Sequence, residues 1–118
     1  MAVFLLCGAG LWAANRTLLS EQVPPSGVQM TAVEVEYEPG AGTPAHRHSG
    51  AAFVYVLEGS VVSKVEGGQE VTYTKGQTFF EPAMQPHLVS RNASQTEKAK
   101  ILVVFVGEKG KPLTEMIH

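Results

Sequence analysis

The chain has 118 residues, 44% of them hydrophobic, which suits one domain built around a single core. Its formal net charge of -2 excludes a strongly basic surface, so we expect no nucleic acid among its partners. Only 17% of the residues are charged, which suggests that a second copy covers part of the surface as a homodimer. With Cys7 as the one cysteine, an internal disulfide framework and a Cys-x-x-Cys site are both excluded.

Residues 1–14 form an apolar segment without a charged side chain. The segment is too short for a bilayer-spanning helix but has the length of a signal-peptide core. No Lys or Arg precedes it, however, and the following residues offer poor cleavage sites. Two interpretations therefore stay open, an export signal or its remnant and a structural arm. The first would place the protein in the periplasm or outside the cell, and the second in the cytoplasm.

Residues 15–118 are predicted to form a single all-β domain, because short strands alternate with Gly and Pro turns throughout. Val33, Val35 and Tyr37 share one face of the first long strand, which ends at Pro39-Gly40. Further strands are predicted at residues 53–58, 61–66, 70–74, 78–81, 87–91 and 101–106. Helical periodicity is nowhere sustained, so the pattern indicates a β-sandwich or barrel.

Three of the four histidines lie where predicted strands begin, namely His46, His48 and His87. His46 and His48 point to the same face because a strand has a period of two, and another strand could bring His87 to meet them. Three neutral imidazoles would hold a metal and leave open coordination positions. An isolated histidine pair of this kind is more often a surface or hydrogen-bonded feature.

The spacing of the first histidine pair resembles the cupin superfamily. Its first motif, G(x)5HxH(x)3–4E(x)6G, is matched from Gly40 to Gly59 at every position except the glutamate, where Ala52 stands. The resemblance covers about residues 27–107 and implies a cupin double-stranded β-helix, or jelly-roll, barrel. The sequences that flank the motifs are similar to those of small single-domain bacterial cupins.

The second cupin motif, G(x)5PxG(x)2H(x)3N, is matched less fully. The match runs from Gly76 to His87, with Met84 at the position of the motif glycine. Arg91 occupies the asparagine position and Asn92 follows it directly.

The resemblance implies that His46, His48 and His87 bind one divalent transition metal, which could be Fe, Zn, Ni, Mn or Cu. With Ala52 in place of the glutamate, both charges of the ion would be uncompensated, so we expect a small anionic ligand. Cupins with three-histidine sites include Fe(II) dioxygenases, and such a dioxygenase is the sharpest form of the prediction. The alternatives are a cupin that binds metal or a small molecule without turnover and a secreted structural cupin.

Ala52, Val54 and Val56 share one strand face and would line a small, dry pocket if Ala52 faces the cavity. The competing interpretation of the two valines is plain barrel core, which we favour.

Three polar residues near the predicted site are further pocket candidates. Glu81 could supply a late carboxylate ligand or a base, although an exposed position at the end of its strand is the favoured interpretation. Gln85 lies two residues before His87 and could reach the metal. Arg91 shares the face of His87 if alternation holds, and could clamp a carboxylate there. The competing interpretation is that it has left the barrel and lies on the rim.

Overall fold

The computed structural model describes residues 3–5, 14–22 and 27–117. All regular elements in these ranges are β-strands, so the all-β prediction is confirmed. The strands are β1 Val3–Leu5, β2 Ala14–Gln22, β3 Val28–Tyr37, β4 Gly42–Thr43, β5 His46–Arg47, β6 Ala51–Glu58, β7 Ser60–Val65, β8 Val71–Thr74, β9 Thr78–Glu81, β10 His87–Asn92, β11 Ala99–Glu108 and β12 Glu115–Met116.

The described strands form two antiparallel sheets. The first sheet has the order β1-β2-β3-β11-β6-β9, and the second has the order β12-β5-β10-β7-β8 with β4 paired to β10. The short strands that carry the histidines therefore lie in the second sheet, whereas β6 and β9 lie in the first.

The core follows the predicted alternation of apolar residues. Val33, Val35 and Tyr37 of β3 are buried, as are Ala52, Val54 and Val56 of β6. Between the latter three, Phe53 and Tyr55 are 43% and 38% exposed on the outer face of the same strand. Because the side-chain period of a strand is two, one face of each strand forms the core and the other meets solvent.

Gly59 closes the tight turn between β6 and β7. Its φ is +71°, and a Cβ there would lie 2.6 Å from the carbonyl oxygen of Lys98. The turn thus requires both a left-handed conformation and the absence of a side chain, which only glycine provides.

Met84 occupies the loop between β9 and β10 with a φ of +65°, the one positive value among the described non-glycine residues. The sequence comparison placed a motif glycine at this position. The N–H of Met84 donates a hydrogen bond to the carbonyl oxygen of His48 at 2.7 Å, so the loop is attached beside the histidines.

The predicted division at residue 14 is only partly within the described residues. Within the apolar segment, β1 pairs with β2 in the first sheet, whereas residues 6–13 lie outside the described part. The choice between export signal and structural arm, and with it the location in the cell, stays a prediction. None of the described residues belongs to a helix long and apolar enough to cross a membrane.

Candidate metal centre

Three histidine rings meet in the interior of the protein. Antiparallel pairing of β5 with β10 makes His46 and His87 direct Cα partners, and His48 follows β5. The ring centroids are 4.9 Å apart for His46 and His48, 5.3 Å for His46 and His87, and 5.2 Å for His48 and His87. All three side chains are buried. The structure thus brings the predicted trio together in space, while its role as a ligand set stays a prediction.

Glu81 joins these histidines from the other sheet. Its Oε1 lies 3.3 Å from Nε2 of His48, and its Oε2 lies 3.1 Å from Nδ1 of His87. The residue is only 6% exposed, so the expectation of an exposed strand end is wrong. Alternation along β9 puts Glu81 on the same face as Phe79, which packs against the core. A carboxylate therefore lies beside the histidines, where the sequence predicted a metal centre of three histidines alone.

The register between β6 and β9 explains how the carboxylate reaches the site. Ala52, which stands at the position of the cupin glutamate, is the direct Cα partner of Glu81. Side chains of direct partners project from the same face of the sheet with their Cβ atoms about 5 Å apart. Glu81 therefore presents its carboxylate from the neighbouring strand, beside the small side chain of Ala52.

Hydrogen bonds fix the orientation of two of the imidazoles. Nδ1 of His46 lies 2.8 Å from the carbonyl oxygen of Pro44, and Nδ1 of His48 lies 3.0 Å from that of Leu113. Since a carbonyl only accepts, each Nδ1 carries the proton and each neutral ring has its lone pair on Nε2. The lone pair of His48 then faces a carboxylate oxygen of Glu81. Two acceptors at that distance need a cation between them, either a proton or a metal ion.

His87 is 0% exposed, and neither of its ring nitrogens forms a well-oriented hydrogen bond with a described residue, despite the short distance to Glu81. An unsatisfied buried imidazole requires an explanation, and a metal ion would provide one. Ligand atoms of His48, Glu81 and His87 lie within 4.8 Å of one another. These three residues could hold a metal, with His46 adjacent to the set.

Burial and mutual charge control the ionisation of the group. Burial, together with the neighbouring His48, lowers the pKa of His46 to about 4. Burial also lowers the pKa of His87. Burial alone would raise the pKa of Glu81, but the adjacent imidazoles of His48 and His87 outweigh it by favouring the ionised carboxylate, so this pKa is lowered. Near neutral pH these directions favour neutral rings for His46 and His87 and an ionised Glu81, the forms that bind metals.

A cavity of about 40 Å³ opens beside this cluster. By volume it holds only a few water molecules. Among the predicted pocket residues, Val54, Glu81 and Arg91 line it. His46 and His48 line it as well, so the cavity adjoins the cluster.

The other three pocket candidates do not line this cavity. Ala52 and Val56 are both fully buried members of the hydrophobic core. For Val56 this agrees with the interpretation of the valines as plain barrel core. Gln85 is partly buried in the loop before β10, and its N–H donates to the carbonyl oxygen of Pro82 at 3.4 Å.

A β-bulge between His87 and Val89 changes the facing of the residues that follow. Asn92 is 0% exposed, and its side-chain amide donates to the carbonyl oxygens of Tyr37, Glu38 and Glu97. The extra residue of the bulge thus explains why the asparagine follows one position later than in the cupin motif.

Arg91 consequently leaves the strand face that alternation from His87 indicated, while its role as a carboxylate clamp stays a prediction. Its guanidinium lies 3.7 Å from the carboxylate of Glu70 and donates to the carbonyl oxygen of Asn92. The side chain remains 39% exposed, although the residue borders the cavity. One bulge was enough to redirect it.

Arg16 and Tyr37 are among the cavity residues that were not identified from the sequence. The hydroxyl of Tyr37 lies 3.1 Å from that of Thr43. The signal for Tyr37 was its place on the apolar face of β3. Arg16 follows Ala14 at strand spacing, which indicates a charged residue on the inward face of β2.

Comparisons with known proteins agree with this architecture. A family profile described as a cupin domain matches residues 33–105. No curated protein matches the chain. A cupin-like protein of Thermotoga maritima superposes with a TM-score of 0.73 at 21% identity, covering 89% of this chain and 76% of that one. A cupin 2 conserved barrel domain protein of Rhodopseudomonas palustris superposes with a TM-score of 0.74 at 20% identity, covering 99% of this chain and 77% of that one.

An enzyme shares the fold as well. The DMSP lyase DddQ of Ruegeria pomeroyi superposes with a TM-score of 0.74 at 20% identity, covering 95% of this chain and 56% of that one. At these identities the similarity to solved structures establishes the double-stranded β-helix fold alone.

Proposed function

Because this chain belongs to the cupin domain family, we propose that it is a metal-dependent protein acting on a small molecule. In this proposal one divalent transition-metal ion is held by His48, Glu81 and His87. The observation that carries it is the convergence of their ligand atoms within 4.8 Å in a buried position. His46, with its Nε2 lone pair free, is proposed as a further ligand.

The donor set supports a metal for reasons internal to the structure. His87 has two buried nitrogens without a well-oriented hydrogen bond to the described residues, and the lone pair of His48 faces a carboxylate. A cation at the centre would pair with the Glu81 carboxylate and with one ring nitrogen of each histidine. Hydrogen bonds to Nδ1 of His46 and His48 are the outer contacts that orient metal-binding imidazoles.

We propose an oxygen-using reaction on a small anion as the sharpest form of this function. His48, His87 and Glu81 are the two histidines and one carboxylate typical of non-haem Fe(II) oxygenases, to which His46 would add a third imidazole. When bound, such an ion would supply Lewis-acid and redox chemistry. Glu81 compensates one of the two charges of the ion, so the site retains a positive charge that favours an anionic substrate. Imidazole ligands also suit Zn, Ni, Mn and Cu, which leaves the metal to experiment.

The residues around the cluster determine what can enter. Val54, Phe79, Val103 and Phe105 give the cavity an apolar wall, and the ring of Phe105 lies 5.0 Å from that of His48. A cavity of about 40 Å³ admits a compact substrate and little water. Exclusion of water strengthens the attraction between an anion and the charged centre.

Metal analysis of the purified protein is the first test. We expect close to one divalent ion per chain after reconstitution, and a Glu81→Gln variant should retain much less, whereas Glu66→Gln, a change at an exposed glutamate, should not. A metal content below about 0.1 per chain that does not respond to added metal would remove the premise.

Oxygen consumption separates catalysis from binding. The protein is loaded anaerobically with Fe(II) and exposed to oxygen with diketones, thiols or phenols. Substrate-dependent uptake supports the oxygenase. Full metal occupancy without uptake for any of these classes supports the alternative, a non-catalytic metal-binding or small-molecule-binding cupin.

A further inference from the structure

Arg16 is a charged residue on the inward face of the first sheet. Ala14, Arg16 and Leu18 of β2 are the direct Cα partners of Tyr37, Val35 and Val33 of β3. These three partners are buried core residues, and partners in an antiparallel pair project from the same face. Arg16 therefore points into the barrel between two apolar neighbours of its own strand.

The guanidinium of Arg16 is only partly satisfied there. Its Nε is buried and has no hydrogen-bond partner among the residues that the structure describes. The neighbouring carboxylate, Glu81, is already engaged by His48 and His87. Burial lowers the pKa of Arg16, while the charges of Tyr37 and Glu81 oppose this. An arginine stays protonated despite such a shift, so a cation is kept in a poorly solvated position.

Arg16 also lines the cavity that gives access to the metal centre. His46, His48 and Glu81 line the same cavity, together with the hydroxyl-bearing residues Ser63 and Ser90. Counting formal charges of the lining residues, Arg16 and Arg91 exceed Glu81 by one positive charge, and a divalent ion at the centre would make the chamber more positive. An inward-facing guanidinium in a chamber of positive formal charge favours an anionic ligand there.

We propose that Arg16 is a specificity-determining residue that binds the carboxylate of a compact organic acid, whose other end faces His48, Glu81 and His87. A guanidinium donates two parallel hydrogen bonds to a carboxylate, which gives both strength and orientation. The cavity of about 40 Å³ limits the acid to a few non-hydrogen atoms. The attachment of the other end rests on the proposed metal centre, whereas the Arg16–carboxylate contact does not.

The test compares glycolate, lactate and pyruvate with glycolamide, the neutral analogue of glycolate. Binding is measured calorimetrically on Co(II)-loaded and metal-free protein, and the Co(II) absorption spectrum reports on the centre. In wild-type protein glycolate should bind and glycolamide should bind much more weakly. In Arg16→Gln, glycolate binding should fall roughly ten- to hundredfold, as for loss of a charged hydrogen-bond donor. Lys75→Gln, which removes one exposed charge, should bind glycolate as wild type does.

The outcomes separate this inference from the metal proposal. Arg16→Gln should bind Co(II) as tightly as wild type, so a glycolate defect with normal metal content supports the inference. If wild type binds no metal, the metal proposal fails, and Arg16-dependent glycolate binding by metal-free protein still supports the inference. If Arg16→Gln does not fold, Arg16→Lys, which keeps the charge and loses the two-pronged donor, should show weakened glycolate binding.

Three results would overturn it. One is unchanged glycolate binding in Arg16→Gln. If that variant does not fold, unchanged glycolate binding in Arg16→Lys has the same meaning. Another is failure of the wild-type protein to bind any of the three acids, with or without metal. A preference for inorganic phosphate over all three acids would assign Arg16 to a different anion.

Discussion

Moving the carboxylate of the site between two strands tests how the metal centre is built. Glu81→Ala removes the carboxylate, and the double variant Ala52→Glu/Glu81→Ala restores one at the cupin motif position. Because residues 52 and 81 are direct cross-strand partners, a glutamate at either position starts from nearly the same point on the sheet. Truncation of the side chain at position 81 also makes room for the larger glutamate side chain at position 52.

The expected magnitude follows from the place of Glu81 in the cluster. Its two oxygens lie 3.3 Å and 3.1 Å from ring nitrogens of His48 and His87. Loss of an outer contact costs metal affinity 10–100-fold, so loss of a direct ligand should cost at least about 100-fold, or about 3 kcal/mol. The double variant should recover affinity to within about tenfold of wild type, since the same ligand type returns to the same space.

The assay is a Zn(II) or Co(II) titration in competition with a chelator of known affinity. Circular dichroism and thermal unfolding confirm that each variant is folded. Glu58→Ala, which removes an exposed carboxylate from the same strand as residue 52, should bind metal like wild type. Wild-type affinity in folded Glu81→Ala would show that Glu81 is not a ligand. A folded double variant no better than Glu81→Ala would refute the equivalence of the two positions.

Three further outcomes are expected. As pH falls from 6.5 to 4, metal-free protein should lose about 3 kcal/mol of unfolding free energy through His46, because the unfolded chain takes up the proton that burial denies the folded one. In chemical denaturation, His46→Gln should lack this pH-dependent loss of unfolding free energy. An equal loss in wild type and variant would contradict its attribution to His46. Met84→Gly should stabilise the protein by roughly 0.5–1 kcal/mol through relief of left-handed strain, whereas Met84→Ala should not, and equal melting temperatures would count against strain. Phe80 is 63% exposed beside its cross-strand partner Phe53, and we propose that it lies in a homodimer interface. Phe80→Glu should therefore reduce the molar mass measured by light scattering, whereas Leu88→Glu should not. A monomeric wild-type protein would refute this.

The sequence was sufficient for those features that depend on local periodicity and motif spacing. Alternation identified the buried faces of β3 and β6 and the shared face of His46 and His48, because it depends on the two-residue period of a strand, which the sequence shows directly. The convergence with His87 was implied by the resemblance to the two cupin motifs.

Features that depend on lateral register could not be read in the same way. Glu81 and Ala52 are neighbours only because β9 pairs with β6 in one particular alignment, and no local pattern encodes that alignment. Arg91 was misplaced because a bulge inserts one residue after His87 and reverses the faces beyond it. Alternation along β9 does place Glu81 on the same face as the apolar Phe79, so the sequence carried a signal for its inward position. That signal requires a buried carboxylate, which is rare in proteins.

The order in which the chain is synthesised bears on when the centre can form. The carbonyl of Leu113 holds Nδ1 of His48, and β12 pairs with β5, so contacts across more than sixty positions of sequence complete this part of the site. A nascent chain would expose His46 and His48 long before residues 113–116 leave the ribosome, which adds about 5–20 residues per second. Metal capture in the native geometry is thus a late event, after the barrel strands have been made.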